Sequence, residues 1–212
     1  MYENRRQAGE TLAAELAARR YEKVSLFAVP RGGIVVAAPV AERLGVPLGI
    51  LVTRKIGHPA NPELAIGAVM GDGTAVLDEE LIRAYAIPQE YLDRIIAREF
   101  AEIKRRLIVY TGSDTPPAVA GRTAVIVDDG IATGYTIRAA ITWLKTLGPA
   151  RIVVTVPVAP PETVAEIAGN VDEIICPLQP AAFMAVGQHY RYFGQTSDEE
   201  VLTILKEINK GK

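Results

Sequence analysis

The chain has 212 residues, enough for one α/β domain with some elaboration and too few for a large multidomain machine. With 49% hydrophobic and 23% charged residues it buries a full core and lacks the polar signature of disorder. A net charge of −2 gives no overall field to draw nucleic acid, and a single cysteine, Cys176, excludes an intrachain disulfide or a cysteine-rich zinc site and points to a reducing cytoplasm.

Met1 to Arg20 carries several charges and no apolar core, so it reads as an amphipathic helix and not as a secretory signal. Val24 to Val29 is an apolar, β-branched run that ends at Pro30 and enters the turn Arg31-Gly32-Gly33. Ile34 to Leu44 is apolar nearly all round and is closed by Gly45 and Pro47, as a helix is. Leu48 to Thr53 reads as a second buried strand, which makes a parallel βαβ unit. Leu64–Met70 and Thr74–Leu77 flank Gly71-Asp72-Gly73, a hairpin signal outside the main sheet. From Pro88 onward Leu92, Ile95, Ile96, Phe100, Ile103 and Leu107 recur at helical spacing, giving one long amphipathic helix.

Thr111 to Gly121 is a loop rich in Gly, Ser, Asp and Pro. The rest alternates: strand Thr123–Asp128, helix Thr136–Leu147, strand Arg151–Val156, helix Pro161–Ala168 and strand Val171–Cys176. Such alternation predicts a parallel sheet covered by helices, all within a single domain over residues 1–212. Pro177 to Phe193 is irregular, and a last helix spans Asp198 to Ile208 with Ser197 or Asp198 as its N-cap. The longest uncharged stretch, Ile174 to Tyr190, is broken by Pro177 and Pro180, so no membrane span is expected.

Chemistry concentrates in Ala124-Val-Ile-Val127-Asp128-Asp129-Gly130-Ile131-Ala132-Thr133-Gly134-Tyr135-Thr136: an apolar strand, two acids, a loop of mostly small residues, then a helix. Small residues let backbone N–H groups approach an anion, Thr133 and Thr136 add hydroxyl donors, and the helix offers its positive end. Adjacent carboxylates accept hydrogen bonds from vicinal hydroxyls and help hold a hydrated Mg²⁺. Together these features describe a site for a ribose 5-phosphate. An isolated Asp-Asp-Gly would more simply end a strand; the whole ordered segment is harder to obtain by chance.

This segment resembles the phosphoribosyl-diphosphate (PRPP) motif of the type I phosphoribosyltransferases, and other segments fall in that family's order. Val29-Pro-Arg31-Gly32-Gly33 stands where the family keeps a pyrophosphate loop, and Thr53-Arg54-Lys55 where it carries a basic residue that reaches pyrophosphate, Lys55 being preferred here. Glu63-Leu-Ala-Ile-Gly67, Val156-Pro-Val-Ala-Pro160 and Phe193-Gly-Gln-Thr-Ser-Asp198 extend the likeness to a bacterial and archaeal subgroup. The resemblance implies a five-stranded parallel core sheet of order 2-1-3-4-5, a lid hairpin within about residues 57–110, and a small hood within about 177–197.

The resemblance further implies transfer of ribose 5-phosphate from PRPP to a nitrogen acceptor, with Mg²⁺ as cofactor and a homodimer as assembly. Asp128 and Asp129 would hold the ribose hydroxyls and, mainly through water, the metal; Gly130, Ile131, Ala132, Thr133, Gly134, Tyr135 and Thr136 would hold the 5-phosphate. Arg31, Gly32, Gly33 and Lys55 would hold pyrophosphate, so that Asp128, Asp129, Lys55 and Arg31 form the catalytic set. Gln188, His189, Tyr192 and Phe193, beside Tyr190, are candidates to receive the acceptor, or to pack the tail onto the core. Purine-salvage relatives usually place an acid where this chain has Ala132, which argues against 6-oxopurine salvage using that acid. Two alternatives stay open: a PRPP- or nucleotide-sensing regulator, and a hydrolase of a phosphoribosyl compound in the same pocket.

Overall fold

The structure, a computed structural model, describes residues 1–112 and 118–210; residues 113–117 of the expected loop and the side chain of Glu63 lie outside the described residues. The chain forms two units, one of Met1–Leu51, Pro117–Gly134 and Leu144–Lys212, the other of Val52–Pro116 and Tyr135–Trp143.

The first unit is built on a five-stranded parallel sheet of order β2-β1-β6-β7-β8, with β1 at Val24–Ala28, β2 at Leu48–Ile50, β6 at Thr123–Val127, β7 at Arg151–Thr155 and β8 at Glu173–Ile175. This is the order expected, since β6, β7 and β8 are the third to fifth strands of the core. All five residues of β6 are buried, as a strand covered on both faces requires, which is why its sequence is a continuous apolar run. Ala28 pairs with Ile50 on one side and Val127 on the other, so β1 is central and its C-terminal end lies beside that of β6. Helices α1 (Arg5–Arg19), α2 (Gly32–Leu44), α6 (Pro161–Ala168) and α7 (Asp198–Ile208) belong to this unit. Pro at the first turn sets the start of α6, and the Ser197 hydroxyl accepting from Glu200 N–H at 3.1 Å sets that of α7.

The start of α1 is fixed by a reciprocal cap: Asn4 Oδ1 accepts from Gln7 N–H at 3.0 Å, and Gln7 Oε1 accepts from Glu3 N–H at 3.1 Å. Helix α1 then lies tightly on α2, since a Cβ at Gly9 would stand 2.2 Å from the Val36 carbonyl oxygen. The C-terminal segment is anchored by the N-terminus. Tyr2 N–H donates to His189 O, Arg191 N–H to Tyr2 O and Tyr192 N–H to Glu3 O, all within 2.9 Å. A 3₁₀ turn, Val186–His189, lies in the stretch expected to be irregular. At the edge of the sheet Asn209 bonds the backbone of β2 twice: its Oδ1 accepts from Leu48 N–H at 2.9 Å and its amide donates to Leu48 O at 3.0 Å.

The second unit contains an antiparallel sheet of order β3-β4-β5, formed by β3 (Arg54–His58), β4 (Asn61–Val69) and β5 (Ala75–Leu77), with α3 (Glu79–Ala84), α4 (Gln89–Thr111) and the first part of α5 (Tyr135–Thr146). Two expectations are corrected here. The second core strand ends at Ile50, and Arg54 and Lys55 lie on β3, where they pair with Val69 and Ala68. The run Leu51-Val52 is apolar because it is buried, not because it continues the ladder; only Leu51 N–H still donates, to Ala28 O at 2.9 Å. Helix α3, which the sequence pattern does not announce, is started by Asp78, whose side chain accepts from Leu81 N–H at 2.9 Å, and it buries none of its residues. Among the described residues no helix is long and apolar enough to cross a membrane.

Candidate active site

Because β1 and β6 are neighbours ending in register, the segments that follow them are brought together. Val29 N–H still donates to Val127 O at 2.9 Å, after which one chain turns through Arg31-Gly32-Gly33 into α2 and the other presents Asp128 and Asp129. The contact leaves no room for side chains at the two glycines. A Cβ at Gly33 would lie 3.0 Å from Asp128 Cα, and one at Gly32 would lie 1.9 Å from Asp129 Oδ2. Arg31 is exposed, with Nη1 3.6 Å from Asp198 Oδ1.

Beyond the acids the loop is held from below. Ile131 N–H donates to Val158 O at 2.9 Å, and the Thr163 hydroxyl donates to Ala132 O at 3.0 Å, which leaves Ala132 and Thr133 exposed. Gly134 takes φ +74° to turn the chain into α5, a conformation that favours glycine, and no side chain caps that helix start.

The two acids share a poorly solvated corner. Burial first, then the neighbouring Asp129 charge, pushes the Asp128 carboxyl well above the usual carboxylate range, against the Asp129 N–H that donates to Asp128 Oδ1 at 2.8 Å. Burial also raises Asp129, and Arg5 opposes it: Nε donates to Asp129 Oδ2 at 2.7 Å, with 17% of the Asp129 side chain exposed. The same guanidinium donates from Nη1 to Gly194 O at 2.7 Å and lies 3.8 Å over the ring of Phe193. Tyr190, buried, donates its hydroxyl to the Asp129 carbonyl.

Of the hood candidates, Gln188 and Tyr192 are exposed, and the His189 ring stacks on Phe183 with centroids 5.1 Å apart. Phe193 is covered by Arg5 and packs near Tyr190, centroids 5.0 Å apart. Lys55, in the second unit, is exposed and lines a cleft of about 490 Å³ with Arg54, His58, Arg94 and Arg98. Arg54 is committed there to the buried Glu99, Nε to Oε2 2.7 Å.

Residues 2–190 match the family model for the phosphoribosyl transferase domain. The chain belongs to that family. Two Mycobacterium tuberculosis proteins named after it, from strains CDC 1551 / Oshkosh and H37Rv, are each 42% identical over 211 residues, covering 99% of this chain and 47% of theirs. The chain thus spans about half the length of these curated relatives. A crystal structure from Thermus thermophilus superposes with TM-score 0.83 at 41% identity, covering 97% of this chain and 98% of that one. A purine phosphoribosyltransferase from Pyrococcus horikoshii shares the fold at TM-score 0.50 and 17% identity, covering 90% of each chain.

Membership of this family implies Mg²⁺, and the residues present fit a shared ion and not a closed cage. Two adjacent, poorly solvated carboxylates make a hard-oxygen corner in need of positive charge, while among the described residues no cluster of three or more potential ligands forms. Arg5 and Tyr190 are the site residues whose roles the sequence does not disclose. Arg5 meets Asp129 from far along the chain and belongs to no local motif, whereas Tyr190 stands in the sequence only as one of an aromatic group.

Proposed function

We propose that this phosphoribosyltransferase-family chain transfers the ribose 5-phosphate of PRPP to a nitrogen acceptor, a nucleobase, and releases pyrophosphate. The observation that carries the reading is the seating of Gly32 and Gly33 directly against Asp129 and Asp128. A loop suited to pyrophosphate thereby meets two carboxylates suited to a ribose diol, at the carboxyl ends of adjacent parallel strands.

In this reading Asp128 and Asp129 accept from the ribose hydroxyls, and the 5-phosphate takes the backbone N–H groups of Gly130 to Thr136 at the start of α5. Arg31 and the amides of Gly32 and Gly33 hold the pyrophosphate, with Lys55 as a further cation. The acceptor nitrogen forms a bond to C1 of the ribose as the C1–O bond to pyrophosphate breaks, its electron pair leaving with the pyrophosphate oxygen. The acceptor then loses its proton to solvent. Orientation and charge stabilisation supply the rate, not a covalent intermediate. Asp128 and Asp129 would hold Mg²⁺, mainly through water, and the ion would supply charge neutralisation for the pyrophosphate. Closure of the 57–110 region over the substrate, a hood at 177–197 that receives the base, a homodimeric assembly and a cytoplasmic setting complete the reading.

Calorimetric titration with PRPP, with and without Mg²⁺, followed by pyrophosphate release on a panel of bases, tests it. Mg²⁺-dependent binding with turnover on one base is the expected result and names the acceptor. Binding without turnover on any base would replace the transferase by a sensor, release with water alone would replace it by a hydrolase, and absence of binding would reject the site.

A further inference from the structure

Asp129 is clasped by parts of the chain that lie outside every phosphate-binding segment. We propose that Arg5 is a positioning residue for Asp129, holding its carboxylate in the orientation that receives the ribose of PRPP. The proposal rests on the reading of Asp129 as a ribose ligand.

The geometry is specific. The Arg5 guanidinium is fixed three ways, by Asp129 Oδ2 at 2.7 Å, by the Gly194 carbonyl at 2.7 Å and by the face of Phe193 at 3.8 Å, and only 12% of its side chain is exposed. A planar fork that bonds in two directions while stacking on a ring is a task for arginine, since a lysine ammonium lacks the plane. The carboxylate it holds is walled on its other side, because Oδ2 lies against Gly32. Asp128 stands next to it, and like charges in a poorly solvated corner repel. Released from Arg5, the Asp129 carboxylate would turn away from Asp128 and toward water. Oδ2 is spent on Arg5, so Asp129 meets a ligand with its remaining oxygen.

Arg5 is itself placed with care. It is the first residue of α1, whose start is pinned by the Asn4–Gln7 cap and whose axis is pinned by Gly9 on Val36. Its second partner, Gly194, follows directly on the segment that pairs with Tyr2 and Glu3. The N- and C-terminal segments thus converge on one carboxylate, and the Tyr190 hydroxyl bonds the backbone carbonyl of that same residue.

The test is a double-mutant cycle read as the PRPP dissociation constant for wild type, Arg5→Gln, Asp129→Asn and the double variant, with the fold checked by thermal unfolding. Arg5→Gln is expected to weaken PRPP by about 10- to 100-fold, the scale of a lost charged hydrogen bond, and to add nothing once Asp129 is Asn. Arg5→Lys should recover part of the loss. An equal loss from Arg5→Gln in both backgrounds would mean a general structural role and overturn the proposal, as would wild-type affinity in Arg5→Gln. If Arg5→Gln does not fold, Arg5→Lys carries the same cycle: a loss confined to the Asp129 background supports positioning, and no loss or an equal loss in both overturns it. Unchanged affinity in Asp129→Asn alone would instead remove the ribose-ligand reading underneath.

Discussion

Gly32 and Asp129 meet so closely that a methyl group on Gly32 would stand 1.9 Å from Asp129 Oδ2 and 2.7 Å from Arg5 Nε. Glycine is therefore required there by contact, independently of backbone angles. Gly32→Ala is expected to displace the carboxylate and lower kcat/KM by about 100-fold, the scale of a 1 Å misplacement. Steady-state kinetics with the base found in the acceptor screen measures it, and activity within about threefold of wild type would contradict the assignment.

Asp129→Ala removes the partner of Arg5 and, in the proposed function, the acceptor of the ribose hydroxyls. PRPP should bind about 10- to 100-fold more weakly while cooperative unfolding persists. Calorimetry beside a thermal melt separates the two effects.

Arg54 and Lys55, adjacent on β3, should behave in opposite ways. Arg54 is bonded to buried Glu99, so Arg54→Ala should cost about 1–3 kcal/mol of stability. Lys55→Ala should instead be read in binding, weakening pyrophosphate by about tenfold as the loss of a cation serving the leaving group. Chemical denaturation and pyrophosphate titration of both variants decide the matter.

Glu99 also sets an acid limit. Burial alone would raise its carboxyl, but the hydrogen bonds from Arg98 and Arg54 outweigh that and hold it below the usual range. A depressed folded-state value means that its stabilisation is fully present above the unfolded value of about 4.3 and is lost as pH falls through the folded one. Glu99→Gln should therefore be less stable than wild type by about 1–3 kcal/mol at neutral pH, with the gap closing below about pH 4. Urea melts across that range would show it.

Gly134→Ala should cost about 1–2 kcal/mol, because φ is +74° there and a Cβ would press on Thr163 Cγ2 at 3.2 Å. The same substitution should weaken ribose 5-phosphate, since it disturbs the start of α5. A thermal melt and a titration with ribose 5-phosphate check both.

How much is legible in the sequence follows from how locally each feature is encoded. The buried strands β1, β6 and β7 announce themselves as apolar runs, and α6 and α7 begin where Pro161 and Ser197 say they should. The loop glycines and the acid pair are legible because two carboxylates and a run of small residues stand in one unbroken segment between a strand and a helix. Arg54 and Lys55 are misplaced by sequence reasoning because the buried link Leu51-Val52 imitates a continuing strand. Helix α3 lacks any buried face and so lacks the periodicity that would reveal it. Arg5 could not be foreseen at all, for its partners Asp129 and Gly194 become neighbours only when both ends of the chain are folded.

The paired bonds between Asn209 and Leu48 have a meaning beyond anchoring α7. The side-chain amide imitates a single peptide unit of a sixth strand and occupies the outward donor and acceptor of Leu48 on edge strand β2. Loss of that asparagine would open this stretch of strand edge, and a tendency of separate molecules to stick together there is the consequence to expect.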